Sequence, residues 1–422
     1  MNWIVVGLVL SNILSNSCYS LVVPFLPLEL KKWGLDIALI GYIFAVYSTA
    51  VIIGSPIVGK ALTTVGRKRI LIGGLCSMGI SMIGFGATSL SPNKNVFTVL
   101  VFVIRFLQGC SSCAIQTTSY AVISMSFPDA QEKYIAVMQT AIGGGLIMGP
   151  VIGTMLYTAF GFSNTFFLIG LCFLFLTFLL SFVVPSSIDN NDVHVETITE
   201  RRISRYEENV VVVSTEPISF FKLVTTGKFI LAGCGGLMAM FIFVFMEPVL
   251  AFRLQEFGIS PVLVGTFFSI QPVSYVLLSF SITWFTNIFA NRGLLMFGAF
   301  MSFLSLILVG PSNYLPDSIE IMAIGQLFVG AFGLFLMVPA IPEMINAASE
   351  KYPKRIIEIT DMSAGVFNCL LGTGQVIGPI FGSTITRLYG FRTCADTLAI
   401  VSLAYSVIYF IFGGGFTLLK NG

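Results

Sequence analysis

Charge is what this sequence has least of. Asp, Glu, Lys and Arg together make up 10% of its 422 residues, against roughly 25% in a soluble domain. So few charges cannot cover a water-exposed surface, which excludes an ordinary soluble globule. There is one histidine, His194, and it lies in a polar stretch. Neither a Ser/His dyad nor a zinc site of useful ligand count can be assembled, so we expect no enzyme, no metal and no cofactor. The eight cysteines do not compensate: Cys18, Cys76, Cys172, Cys234 and Cys369 sit inside apolar runs, and no extramembrane disulfide framework follows. Cys110 and Cys113 form a CxxC within an apolar run and find no further ligands. A net charge of +2 is too small to imply a nucleic-acid partner. No basic leader or small-residue cleavage site precedes the first apolar run, which we read as a first span and not as a signal peptide.

What the chain does have is apolar length. Hydrophobic residues account for 56% of it, in recurring runs of roughly 20 residues, enough to cross about 30 Å of hydrocarbon at 1.5 Å per residue. Such runs are far too long for barrel strands, so helices must do the spanning. Apolar length and turn signals predict spans near 3–28, 37–60, 69–90, 96–122, 134–159, 162–185, 226–255, 261–286, 292–310, 318–346, 360–389 and 393–415. The fold class is an all-α membrane protein of twelve transmembrane helices. Residues 1–185 form one six-helix half, 186–222 a polar linker with DNND and TERRISRYEE, and 223–422 the second half. The RRIS string makes Ser204 a possible phosphorylation site. Lys60, Arg67, Lys68, Arg69, Lys133, Arg201, Arg202, Arg205, Lys222, Lys228, Arg292, Lys351, Lys354, Arg355 and Lys420 fall on the side of the termini and linker. Only Lys31, Lys32, Lys94, Arg253, Arg387 and Arg392 fall on the other. By the positive-inside rule the termini and linker are cytoplasmic.

The second half reads as a copy of the first. Gly145, Gly149, Pro150, Gly153, Gly161 and Phe162 recur 229 positions later as Gly374, Gly378, Pro379, Gly382, Gly390 and Phe391. Pro24, Leu30, Gly34 and Gly41 recur 224 positions later as Pro248, Leu254, Gly258 and Gly265, and Gly109 matches Gly330. Parallel six-helix repeats imply a pseudo-twofold axis along the membrane normal, with the substrate path between the halves.

Three motifs give these repeats a family likeness. GKALTTVGRKR, through Gly59, Gly66, Arg67, Lys68 and Arg69, is similar to the loop motif of the major facilitator superfamily, with Thr63 where that family usually has Asp. A positive-inside anchor accounts for the same basic cluster. RFLQG resembles the family's fourth-helix signature and places Arg105 about 15 Å into its span. A charge there costs at least about 2.5 kcal/mol and needs a cavity or a partner. GxxxGPxxG in spans 5 and 11 resembles the motif of the antiporter branch; its glycines let a helix approach and its proline permits a bend. Such a face would serve as a seam on which the halves rock.

PFLP, FMEPVL and VPAIPEMI narrow the likeness to the vesicular amine transporter family, and within it to the vesicular polyamine transporter branch. They place Glu247 and Glu343 inside spans, where carboxylates are rare; their first-half counterparts are Val23 and Val122. Tyr47, Tyr120, Gln139, Tyr275 and Asn368 are further path-lining candidates, and tyrosine faces can hold an ammonium by cation–π attraction. The resemblance implies alternating access with proton-coupled antiport of a cationic organic solute, by a monomer in a vesicle, endomembrane or plasma membrane. The carboxylate would bind either proton or cation. An efflux pump or facilitator for drugs or neutral solutes, and a non-transporting nutrient sensor of the same fold, stay open.

Overall fold

The computed structural model describes residues 3–127, 131–184, 226–312, 314–352 and 356–413. The expected linker, with Ser204 and His194, lies outside them. Every element among the described residues is helical. The first half comprises α1 (Trp3–Leu21), α2 (Leu26–Lys32), α3 (Ile37–Thr64), α4 (Arg67–Ala87), α5 (Lys94–Ser126) and α6 (Gln131–Val183). The second comprises α7 (Gly227–Val244), α8 (Leu250–Glu256), α9 (Pro261–Ser279), α10 (Ile282–Ile288), α11 (Asn291–Val309), α12 (Ile319–Met337), α13 (Ala340–Ser349), α14 (Ile356–Tyr389) and α15 (Phe391–Phe412). Among the described residues, eleven helical stretches are long and apolar enough to cross a membrane. One of them, Val137–Val183, has 47 residues, roughly 70 Å at 1.5 Å per residue and twice the hydrocarbon thickness. Gly161, at φ 75° and ψ 179°, interrupts it, and its repeat mate Gly390, at φ 87°, divides α14 from α15. Counted across Gly161, the expected twelve crossings are present.

Four spans expected to be continuous are broken. The chain leaves the helix at Val22–Phe25 around Pro24, at Phe245–Val249 around Pro248, at Phe280 and Ser281, and at Val338 and Pro339. Proline lacks the amide hydrogen a helix needs and its ring collides with the carbonyl one turn earlier. Pro150, ahead of Gly161 in α6, and Pro379 in α14 lie by contrast within continuous helix. Prolines stand at the breaks of the first, seventh and tenth spans, and the prolines of the glycine motif break nothing.

The chain forms two compact units. The first is Met1–Gly34, Val46–Val212 and Pro261–Thr266; the second is Leu35–Ala45, Val213–Ser260 and Phe267–Gly422. In the first, α1 packs on α6, and α4 on α5 and α6; in the second, α7 packs on α14 and α13, and α11 on α12 and α15. The repeat is visible in these crossings. A methyl on Gly145 would stand 2.6 Å from the Ile13 carbonyl, and one on Gly149 2.6 Å from that of Ser17. Gly374 and Gly378 meet Leu237, Phe241 and Val244 of α7 in the same way. The glycine face packs on the first helix of each unit. Likewise Gly109 lies against the Tyr47 backbone and Gly330 against that of Gln271, residues 224 positions apart.

Candidate functional site

In the first unit a ladder of polar side chains joins α1 to α5. Asn12 donates to Ser119 Oγ at 2.9 Å and to the Leu8 carbonyl at 2.8 Å, and it rests 3.7 Å from Met138 Sδ. Ser15 donates to Ser112 Oγ at 3.3 Å. Gln116 reaches Asn16 Oδ1 at 3.4 Å and Ser112 at 3.3 Å. Ser112, Gln116 and Ser119 recur at helical spacing, a polar face that the sequence carries. Tyr47, from α3, is buried, with its ring 5.0 Å from that of Tyr19. Gln139 and Tyr120 are also brought together, the amide donating to the phenol at 2.9 Å.

Arg105 is 1% exposed. Its guanidinium lies 5.5 Å from the centroid of the Phe85 ring and 3.4 Å from Gln108 Oε1. An aromatic face and an amide carbonyl both favour a desolvated cation. The loop motif is split. Gly59 stands open near the end of α3, Gly66 takes φ 97° to start α4, Arg67 turns inward, and Arg69 is exposed.

In the second unit Glu247 occupies the break between α7 and α8 and is 9% exposed. Tyr275 meets Phe243 edge-on, 5.7 Å between centroids, and donates to Met337 Sδ at 3.4 Å. Gln271 donates to the Phe243 carbonyl at 3.5 Å. Asn368, on α14, is exposed.

Glu343 belongs to a different cluster. It accepts from Arg292 Nε, while Arg292 Nη2 reaches Glu350 at 2.7 Å and Lys228 stands 3.4 Å from the same carboxylate. The starts of α7 and α11 are thereby tied to the end of α13. The bond from Arg292 holds Glu350 below the ordinary glutamate range. Neither Val122, the counterpart of Glu343, nor Asp129, the counterpart of Glu350, gives the first half the same pair of acids. Sequence reasoning paired neither acid with Arg292, because only the fold brings those helix ends together.

The family model described as Major Facilitator Superfamily matches residues 8–355. The chain belongs to the major facilitator superfamily. It is a multi-pass membrane transporter, and its family and relatives are transporters, not enzymes. Among curated proteins it is similar to the human MFS-type transporter SLC18B1, 26% identical over 395 residues, covering 91% of this chain and 80% of that one. It is also similar to a multi-drug resistance efflux pump PmrA homolog of Lactococcus lactis, 24% identical over 403 residues, covering 94% and 92%. Among solved structures, a bacterial homolog of the human lysosomal transporter Spinster superposes with a TM-score of 0.73 at 11% identity, covering 98% and 97%. The nucleoside transporter NupG superposes at 0.71 and 14%, covering 97% and 99%. These superfamily structures share the fold alone. The likeness to the vesicular amine transporter family rests on SLC18B1 and its mouse and rat counterparts, at 26% and 25% identity.

Proposed function

We propose that this transporter exchanges protons for a cationic organic solute such as a polyamine, across a vesicular or other endomembrane. One observation carries the reading. The second unit places a carboxylate, Glu247, in a buried break of its first helix, where the first unit has Val23. A carboxylate in that setting can take a proton or a cation but is costly to leave charged alone, so loading one releases the other. Glu343 is held by Arg292 where helix ends meet, which suits a structural tie, and we assign the exchange to Glu247. Arg105, Tyr47, Gln139, Tyr275 and Asn368 complete the set we assign to the path. The GxxxGPxxG glycines and the basic loop are assigned to conformational change. The chain works as a monomer, and the two halves joined by the linker are its moving bodies.

The test is uptake of labelled spermidine by liposomes holding the purified chain, with and without an inside-acid pH gradient. Gradient-driven accumulation supports proton-coupled cation antiport. No uptake by folded protein would remove it. Efflux of drugs is the second reading, favoured by the similarity to proteins named as multidrug efflux pumps; it predicts that excess spermidine leaves dye transport unchanged.

A further inference from the structure

The two copies differ along one strip of side chains. Ser112, Gln116 and Tyr120 follow one another at four-residue steps on α5, so they share a face. The Gly109 and Gly330 crossings set the register at 221 residues, which makes Gly333, Met337 and Ile341 their counterparts. In the second unit α7 packs on α12 as α1 packs on α5 in the first, without those polar groups. Packing of this helix pair therefore does not call for an amide at Gln116.

A chain of hydrogen bonds fixes which way that amide points. The Asn12 main-chain carbonyl can only accept, so Asn16 turns its Nδ2 to it, at 2.9 Å. Asn16 Oδ1 is left facing α5, where it accepts from Gln116 Nε2 at 3.4 Å, and the same nitrogen reaches Ser112 Oγ at 3.3 Å. The Gln116 nitrogen is thus engaged toward α1 and its own helix. Its Oε1 accepts no hydrogen bond among the described residues, and it is not one of their sealed polar atoms.

Gln116 is half-buried and stands ten residues before the end of α5, about 15 Å at 1.5 Å per residue. The exposed Val99, Val103 and Leu107 form an apolar stripe centred on Val103. Gln116 lies roughly 140° round the helix from it, so its open side is turned away from the face suited to hydrocarbon. An unbonded carbonyl at that depth needs water or a polar ligand. Asn12, Asn16 and Ser119 also give their hydrogens to groups of the first unit. What the strip leaves open is an acceptor, and a ligand rich in N–H and lacking acceptors complements it.

We propose that Gln116 is a specificity-determining residue of the first unit: its side-chain carbonyl, aimed by Asn16 and Ser112, accepts an N–H of a primary or secondary ammonium. The proposal rests on the cation reading above and sharpens it. Amines that carry N–H are distinguished from quaternary ammonium ions, which have the charge without the donor.

The test is competition against labelled spermidine counterflow in liposomes, using unlabelled spermidine and hexamethonium, a bis-quaternary ion, on wild type, Gln116→Met and Gln116→Asn. Wild type is expected to prefer spermidine. Methionine is what the second unit carries at this position, so Gln116→Met should fold; it should lose roughly tenfold in spermidine affinity, as for one charge-assisted hydrogen bond, with hexamethonium unchanged. Gln116→Asn, whose carbonyl is withdrawn by one methylene, should fall between. Equal losses for both ions, the mark of a packing role, or no loss in the methionine variant would overturn the assignment of Gln116 alone. If folded wild type shows no spermidine counterflow, the cation reading itself falls, and this inference with it.

Discussion

Arg292, at the start of α11, donates to the carboxylate of Glu343 on α13 and in the same geometry grips Glu350. The Glu343 side chain is only 5% exposed, so its charge depends on that guanidinium. Removing one partner of a buried pair strands the other, at a cost of about 3–5 kcal/mol. Glu343→Ala should approach the lower end of that range, because Arg292 retains Glu350 and some water. Thermal unfolding in detergent would measure it. The exchanged double variant, Arg292→Glu with Glu343→Arg, should recover part of the loss; a double variant no more stable than either single one would show that the two do not act as a pair.

Glu247 and Glu343 should separate in transport. Glu247→Gln is expected to abolish gradient-driven spermidine uptake while leaving monodisperse, folded protein. Glu343→Gln keeps an acceptor for Arg292 and should retain a measurable fraction of uptake. Full proton-dependent uptake by the Glu247 variant would sink its role as the exchange site.

Adjacent glycines offer a sharp contrast. Gly144 has nothing within 4 Å of the place a methyl would occupy, whereas a methyl on Gly145 would meet the Ile13 carbonyl and Asn16 of α1. Gly144→Ala should be neutral or stabilising by up to ~1 kcal/mol, from helix propensity. Gly145→Ala should cost about 1–3 kcal/mol through overpacking. Melting temperatures of the two variants check this, and equal values would remove the packing role given to the motif.

Glu350 predicts a pH dependence. Its folded-state pKa is depressed, first by the hydrogen bond from Arg292. The stability it contributes is therefore present above its ordinary pKa and is lost as pH falls through the depressed one. Wild type should exceed Glu350→Gln in stability at neutral pH, modestly because the carboxylate is half exposed. The gap should close on acidification below the ordinary glutamate range. A gap that widens there would reverse the assigned sign.

The spans, their number and the duplication were legible because each rests on a one-dimensional signal: apolar length, or glycines and prolines at constant offset. The four-residue glycine spacing announced a close helix crossing, and only the fold shows that α1 is the helix that meets Gly145. The breaks at Pro24 and Pro248 were present as residues but hidden by uninterrupted apolarity, since hydropathy measures length and says nothing of amide hydrogens. Tyr120 and Gln139 were named singly, and their pairing needed the fold. Arg292 escaped because it reads as an ordinary loop cation, and only the fold sets it against Glu343 and Glu350.

Among the described residues, positive φ occurs only at Gly34, Gly66, Gly161, Gly258 and Gly390. Gly34 and Gly258 share one repeat offset, and Gly161 and Gly390 share the other. These turns dispense with a side chain in both copies. Arg105 and Glu247 have no such twins. The repeats thus share the backbone that turns the chain and differ in the charge it carries.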